Sequence, residues 1–543
     1  MISLIQLFFC KVYFRIKFIR LNKNFFHNKK NSNNNVFLVE FNAFHDHHVV
    51  YSLFSFFFRN NFHCKTYSFY NNCLLTAPLV FNKINSIKWK IGNFFSLKHF
   101  AIYRSFGVED IFKPEIDKNI IKAADKCFLQ NFSKIKSKDD LLNFKINDIL
   151  IGDLLYDTYL KSRILPTINI YSNDFKIFFL DFLKLFFFWD NYFKKKKVIG
   201  IITSHSVYSY AIPLRLALSK NIPSFVSNPK FLIKFSKKNF YGSIFGNYRS
   251  YKKDFNNLNK KKTDGLRIAK EQIKKKLIGV TGPEVNMEYA DISSFSSNSN
   301  TKILKNNNKF KVLISTHDFF DAVHYYGKGI FADFYEWIVF LLKISKNTNF
   351  DWYIKNHPKY SGRYRRYQPF TDDIVSNLIL NYKNITLLPN NTTNKQLISE
   401  GIGAVLTVYG TVASEFPYFN IPVINATKHN VHCNYSFSIS PNSKNQYRKI
   451  IENLDKIRVP KSSKKQIQEY YFMRHIVVDS NWLFENYNEM IKKIGGYHNL
   501  QSYHFYKFWI EYCKKPTLNK IEEKLKIFIK SKQVRLTNNI YNR

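Results

Sequence analysis

At 543 residues the chain is long enough for two or three domains with ample cores, and its 45% hydrophobic content is that of a globular protein. Lys and Arg outnumber Asp and Glu by 83 to 39, which points to anionic partners: a membrane surface, nucleic acid or an anionic substrate. Zinc-finger spacing, an RNP signature and a basic-zipper pattern are all absent, so nucleic acid is set aside in favour of a membrane surface or an anionic glycan and nucleotide.

The six cysteines (Cys10, Cys64, Cys73, Cys127, Cys433 and Cys513) include no C-x-x-C pair. They imply neither zinc nor a disulfide framework, in keeping with a reducing cytosol. No uncharged apolar run reaches roughly 18 residues, so no spanning helix is expected. Met1–Cys10 is apolar, but Lys11, Arg15, Lys17 and Arg20 follow it. No basic segment precedes it and no small-residue cleavage site closes it, which argues against a secretory signal. It reads as an interfacial anchor or as a helix packed on the first domain. Asn22–Asn35, rich in Lys and Asn, reads as a linker.

Val36–Phe41 predicts a buried strand, Asn42–His48 a polar loop and Val49–Arg59 a helix, the first β-loop-α unit of a Rossmann-like domain. His45, Asp46, His47 and His48 then sit at a sheet's carboxyl edge. Their contiguous spacing is not that of a helical zinc site, which leaves acceptor contact or a solvated loop. Ser105–Val108 predicts a short strand and turn. Asp153 and Asp157 share one face if their segment is helical, and capping or surface pairing is a plainer role for them than catalysis. Phe175–Phe193 predicts a core helix and Val198–Thr203 the next strand. His205 and Tyr208 follow, then Arg215 and Ala217 within a helix, then Ile222-Pro223 before another strand. Ser250–Lys276 is Lys-rich with little apolar periodicity and predicts a helix with a solvated face. The Ser/Asn/Lys-rich segment Ser296–Lys309 marks the domain boundary. The expected division is a 1–35 extension, a 36–295 domain, a 296–309 linker, a 310–465 domain and 466–543 as terminal helices and a basic tail. No repeat of 20–50 residues is seen.

The second domain opens with strand Lys311–Ser315, followed by His317, Asp318, Asp321 and His324 in a loop. Phe331–Ile344 predicts an amphipathic helix. Trp352–Ile354 is a strand ending in Lys355-Asn356-His357-Pro358. Asn384–Leu388 is a strand delivering a polar Pro389–Thr393 loop, and Lys395–Glu400 a short helix. Ala404–Tyr409 is a buried strand, Gly410-Thr411 a tight turn into a helix carrying Ser414 and Glu415, and Ile421–Asn425 a further strand. This is the βαβ pattern of a parallel sheet, in which ligands bind beyond the carboxyl ends of the strands and helix N-termini offer N–H groups to phosphate. A Lys/His pair and a Gly-Thr helix start at neighbouring strand ends suit a nucleotide or sugar phosphate.

Lys-x-His-Pro followed by Gly-Thr-x-x-x-Glu and Pro-Val-Ile resembles the donor-binding half of bacterial capsule and surface-polysaccharide glycosyltransferases, including the Kdo transferases of capsule assembly. A looser similarity extends to sugar-nucleotide 2-epimerases and polyol-phosphate transferases. The upstream His205-x-x-Tyr208, Arg215-x-Ala217 and Ile222-Pro223 element is similar to one that closes the first domain of these transferases. Many of them carry Gly where this chain has Ala211 or Ile212. The resemblance implies an α/β fold with two Rossmann-like domains facing a cleft (GT-B) and extra terminal helices. It implies a glycosyltransferase that moves a sugar from a nucleotide-sugar donor on the second domain to a growing surface polysaccharide on the first. Lys355 and His357 would contact phosphate or donor sugar, Gly410 and Thr411 would offer the helix N-terminus, and Ser414 and Glu415 would hold ribose hydroxyls. His45, Asp46 and His205, on first-domain strand ends, are the candidate acceptor-activating residues. No metal or other cofactor is expected, since cationic side chains and helix amides can stabilise a leaving phosphate. The partners implied are the donor, a glycan or glycolipid acceptor and an anionic inner-membrane surface, for a protein that is cytoplasmic or peripheral on the membrane. A sugar-nucleotide 2-epimerase, a polyol-phosphate transferase of the same fold and a non-catalytic polysaccharide assembly partner are the alternatives.

Overall fold

A computed structural model describes residues 4–26, 33–70, 83–238, 240–258, 261–280, 293–296, 301–357, 368–478 and 482–536. Cys73, Pro358 and residues 297–300 of the expected linker lie outside the described residues. The strands, in chain order, are β1 (Val36–Phe41), β2 (Lys65–Tyr70), β3 (Val108–Phe112), β4 (Lys145–Ile146), β5 (Ile149–Leu150), β6 (Val198–Thr203), β7 (Ser224–Ser227), β8 (Leu232–Lys234), β9 (Phe310–Ser315), β10 (Phe350–Lys355), β11 (Ile385–Leu387), β12 (Ala404–Thr407), β13 (Val423–Asn425) and β14 (Arg535–Leu536).

The chain is α/β, with two Rossmann-like units and extra terminal helices. The first unit takes the described residues of Met1–Ser162, Ile170–Gly246 and Ser480–Asn538, and the second those of Arg163–Asn169 and Asn247–Asp479. In the first, seven strands run in the order β14-β8-β7-β6-β1-β2-β3, and the five from β7 to β3 are parallel. In the second, β11-β10-β9-β12-β13 are all parallel. Each parallel set starts in its middle, at β1 or β9, and winds first one way and then the other. That gives each unit a topological switch point, β1/β6 in the first and β9/β12 in the second, where open α/β sheets bind ligands. Strands covered on both faces read as continuous apolar runs. All six residues of β1 and all four of β12 are buried.

The sequence reading draws the boundary in 296–309, whereas the chain enters the second unit at Asn247. The helix Lys261–Leu277 explains the difference. It buries Gly265, Ala269 and Ile273, one narrow stripe at every fourth residue amid lysines. That stripe meets the helix Ser463–Tyr471 and the π-helical turn Phe472–Val477 that continues it. A Cβ at Gly265 would lie 2.6 Å from the Phe472 ring. After the π turn the next helix of the expected 466–543 terminal segment is the short Tyr487–Lys493.

Two further expectations are corrected in the first unit. Its first helix runs from Leu4 to Phe26, into the stretch read as a linker. The terminal helices and basic tail expected in 466–543 belong, from residue 482 as far as residue 536, to the core of this unit. The helices Tyr503–Tyr512 and Lys515–Lys530 bury Phe505, Tyr506, Trp509, Leu525 and Phe528 in the same core as Phe37, Phe54 and Phe225, and β14 closes the sheet antiparallel to β8. Lysines on the outer faces mask this apolar spacing in the sequence.

Candidate functional site

In the second unit the carboxyl ends of β9, β10 and β12 gather most of the residues singled out above. Lys355, the last residue of β10, is 8% exposed, and its Nζ donates to Asn394 Oδ1 at 2.8 Å. The other end of that amide, Nδ2, donates to Glu415 Oε2 at 2.7 Å. Glu415 Oε1 takes an ion pair from Lys276 at 3.0 Å. One cation, an amide, a carboxylate and a second cation thus form a single buried chain. Burial pushes the Lys355 ammonium down to about 8, with Glu415 acting in the opposite sense. Asn394 is aimed by the cap beside it, where Thr393 Oγ1 accepts from Gln396 N at the start of helix Asn394–Ser399.

The switch point of this sheet is occupied by His317. Its Nε2 lies 3.2 Å from Thr407 Oγ1, at the end of β12, and accepts from Tyr409 N at 3.4 Å. Its ring lies 4.7 Å from that of Tyr409. Burial, and then His357, hold its imidazole down to about 3, so it is a neutral hydrogen-bonding group. Gly410 follows. A Cβ there would lie 2.9 Å from Thr407 Oγ1, so glycine leaves the His317–Thr407 pair undisturbed. The helix after Gly410-Thr411 is a single turn, Val412–Glu415, continued by a 3-10 turn, Phe416–Phe419. A helix this short carries little of the macrodipole expected for a phosphate cradle. Ser414 Oγ donates back to Thr411 O at 3.0 Å. Asn390, in the polar loop after β11, donates to Asp372.

The first unit treats its candidates differently. The helix begins at His45 rather than after His48, since His45–Phe62 is continuous. Helical geometry fans the histidines apart. His48 bonds Tyr506 and Asn42 O. His45 lies 4.4 Å from the Tyr506 ring, and its buried Nδ1 has no hydrogen-bond partner among the described residues. Burial, with His99 beside it, drives His45 down to about 4. His47 is buried with Nδ1 3.0 Å from Asp46 Oδ1. Burial disfavours its charged form, but Asp46 and Glu40 outweigh this and hold the imidazole above its ordinary value. Among the described residues no group of three or more His, Cys, Asp or Glu is placed to hold a metal ion. Across the β1/β6 switch point Glu40 Oε2 accepts from Ser204 N at 2.6 Å and from Tyr51 OH at 3.1 Å. His205, exposed, has Nδ1 2.7 Å from Ser204 Oγ. Arg215 and Asp153 form a buried bidentate pair at 2.5 and 2.6 Å, which Tyr241 joins through its hydroxyl. That network ties the helix Ile212–Ser219 to the helix Gly152–Arg163.

No family model matches the chain, and no curated protein matches it. Among solved structures it is similar to a UDP-GlcNAc 2-epimerase from Neisseria meningitidis bound to UDP-GlcNAc, at 10% identity and a TM-score of 0.20 over 82% of this chain and 99% of that one. It is also similar to a putative UDP-N-acetylglucosamine 2-epimerase from Listeria monocytogenes, at 9% identity and 0.24 over 81% and 91%. A third is the N-terminal domain of trehalose-6-phosphate phosphatase from Candida albicans, at 11% identity and 0.24 over 82% and 95%.

Sequence reasoning missed Asn394 and Lys276, put His47 in the His45–His48 cluster without choosing it as a candidate, and gave His317 no role. A signal existed for His317, which lies two residues past a predicted central strand. Lys276 had none, being one lysine among many on its helix.

Proposed function

We propose that the second unit binds a nucleotide sugar and that the chain is a glycosyltransferase acting on a surface-polysaccharide acceptor at an anionic membrane surface. The observation that carries this is the Lys276–Glu415–Asn394–Lys355 chain at the carboxyl edge of a parallel sheet. Lys355, protonated below about pH 8, supplies positive charge for a diphosphate in a dry setting where charge acts strongly. Glu415 offers a carboxylate of fixed direction to a ribose diol. His317, neutral and fixed at the switch point, offers a hydrogen bond without charge. These groups stabilise a departing nucleotide with side chains of the chain alone. In the first unit, Asp46 and His47 suit acceptor activation better than His45, because an imidazole held near 4 is a weak base and one paired with a carboxylate is a stronger one.

A second reading has its own observation. A lysine drawn down to about 8 exchanges protons near neutral pH, which a sugar-nucleotide 2-epimerase needs at the sugar carbon. A thermal-shift panel of CMP-, UDP-, GDP- and CDP-sugars tests the shared part. A selective rise in melting point that Lys355→Met and Glu415→Gln abolish is expected. A folded protein that no nucleotide shifts would overturn both readings. Incubating the donor that binds in deuterated water, without acceptor, separates them: deuterium at the sugar's second carbon favours the epimerase.

A further inference from the structure

The helix Leu4–Phe26 has two apolar faces. One packs into the first unit: Phe14 stacks on Tyr503 at 5.7 Å, Phe18 on Tyr506 at 4.2 Å, and Asn22 Nδ2 donates to Ser105 Oγ at 3.0 Å. The other is exposed among the described residues. Leu4 is 85% exposed, Ile5 69%, Phe8 62% and Phe9 64%, and Tyr13 and Ile16 continue the stripe. At 100° per residue these six fall within about half of the circumference. Lys11 and Arg15 lie on the side of the helix toward His45, Lys17 and Arg20 are exposed on the side toward Tyr13, and the helix holds no Asp or Glu. A second exposed apolar patch lies in the same unit. Phe94 at 81% and Phe95 at 64% exposure, with Leu97 and Lys98, form the turn leading into helix His99–Ser105, which packs on Leu4–Phe26.

We propose that this exposed face of the first unit docks on an anionic lipid bilayer, with the helix lying in the plane of the headgroups. The proposal deepens the membrane part of the proposed function and rests on it. An exposed aromatic stripe with cations on the same helix matches the layered chemistry of a bilayer surface: acyl chains under the stripe, phosphates beside the cations. A second copy of this chain would bring like charges together across such a face. Among the described residues no helix is long and apolar enough to cross a membrane, so this helix, about 34 Å long, lies on the surface.

The test is sedimentation of the full chain with vesicles of phosphatidylcholine alone and of phosphatidylcholine mixed with phosphatidylglycerol, at low and high salt. Binding to the mixed vesicles only, weakened by salt, is expected. Phe8→Ser/Phe9→Ser should weaken it by about tenfold or more. Lys17→Glu/Arg20→Glu should abolish the preference for anionic lipid. These side chains are exposed, so both variants should keep the parent's circular dichroism and its nucleotide-induced thermal shift. Loss of that shift in Lys355→Met with vesicle binding intact, or the reverse in the Phe8/Phe9 variant, separates the two proposals. Parent protein that stays in the supernatant with mixed vesicles overturns the inference, as does undiminished binding by Phe8→Ser/Phe9→Ser. A dimer in light scattering that the Phe8/Phe9 variant dissociates, without vesicle binding, would assign the face to self-association and overturn it as well.

Discussion

The decisive side chains are those whose charge is set by burial. Lys355 gives the first prediction. Because its ammonium titrates near 8, nucleotide affinity should fall as pH rises through about 8, by up to about tenfold per unit. Isothermal titration between neutral and alkaline pH checks this, and Lys355→Met should flatten the alkaline limb. A profile unchanged by that substitution would place the diphosphate elsewhere. Arg215 gives the second. Arg215→Met leaves Asp153, 4% exposed, as a buried charge without its cation, a cost of about 3–5 kcal/mol. Asp153→Leu/Arg215→Met should recover part of that loss in urea melts. If the single variant melts with the parent, the pair is not a buried one. Motif residues such as Lys355, Gly410 and Glu415 were legible because their positions follow from strand ends. Asn394 was not, since the loop before it only announces polarity, and the bond that matters is to a residue 39 positions away.

Elements were legible in proportion to how fully they are buried. β1 and β6 match their predicted bounds, and β9 to β13 lie within a few residues of theirs, because a strand hidden on both faces has no polar alternation to blur it. Helices with a narrow buried stripe were not. Lys261–Leu277 read as solvated because only Gly265, Ala269 and Ile273 face inward, and two of those three are barely apolar. That stripe yields the third prediction. Gly265→Leu places a branched side chain where a Cβ alone would lie 2.6 Å from Phe472, and it should destabilise the second unit by about 1–3 kcal/mol. Gly265→Ser, smaller, should cost less. Equal stability of Gly265→Leu and the parent, followed by denaturant titration, would mean that the helix does not pack against the π turn.

For the molecule as a whole, burial shifts several histidines in one direction. His45 and His99 are held at about 4, and His317 and His432 at about 3, against 6.5 in water. Between about 6.5 and 4 the unfolded chain takes up protons that the folded chain refuses. Stability therefore falls as pH falls through that window, with a limiting slope of about 1.4 kcal/mol per unit for each histidine. His47, shifted upward, contributes in the opposite direction. Melting temperatures from pH 7 to 4 should drop steeply at about pH 6, and His45→Asn/His99→Asn should shallow the slope. A flat profile would contradict the burial of these rings.

The first unit draws its core from both ends of the sequence, with Phe37 and Phe54 packed in one cluster with Trp509, Phe528 and Leu536. During synthesis a ribosome releases the chain from the amino end, and domains ordinarily fold in the order they emerge. Here that order is inverted. The second unit has all of its described residues once position 478 is out, while the unit that began first still lacks three core helices and the strand that closes its sheet. Its half-made sheet therefore waits, with β8 unpaired along one edge and a cluster of phenylalanines uncovered. Such a nascent chain is a natural client for chaperones that shield apolar surface, and ribosome-bound intermediates stalled before and after residue 536 should differ sharply in protease resistance within residues 33–70.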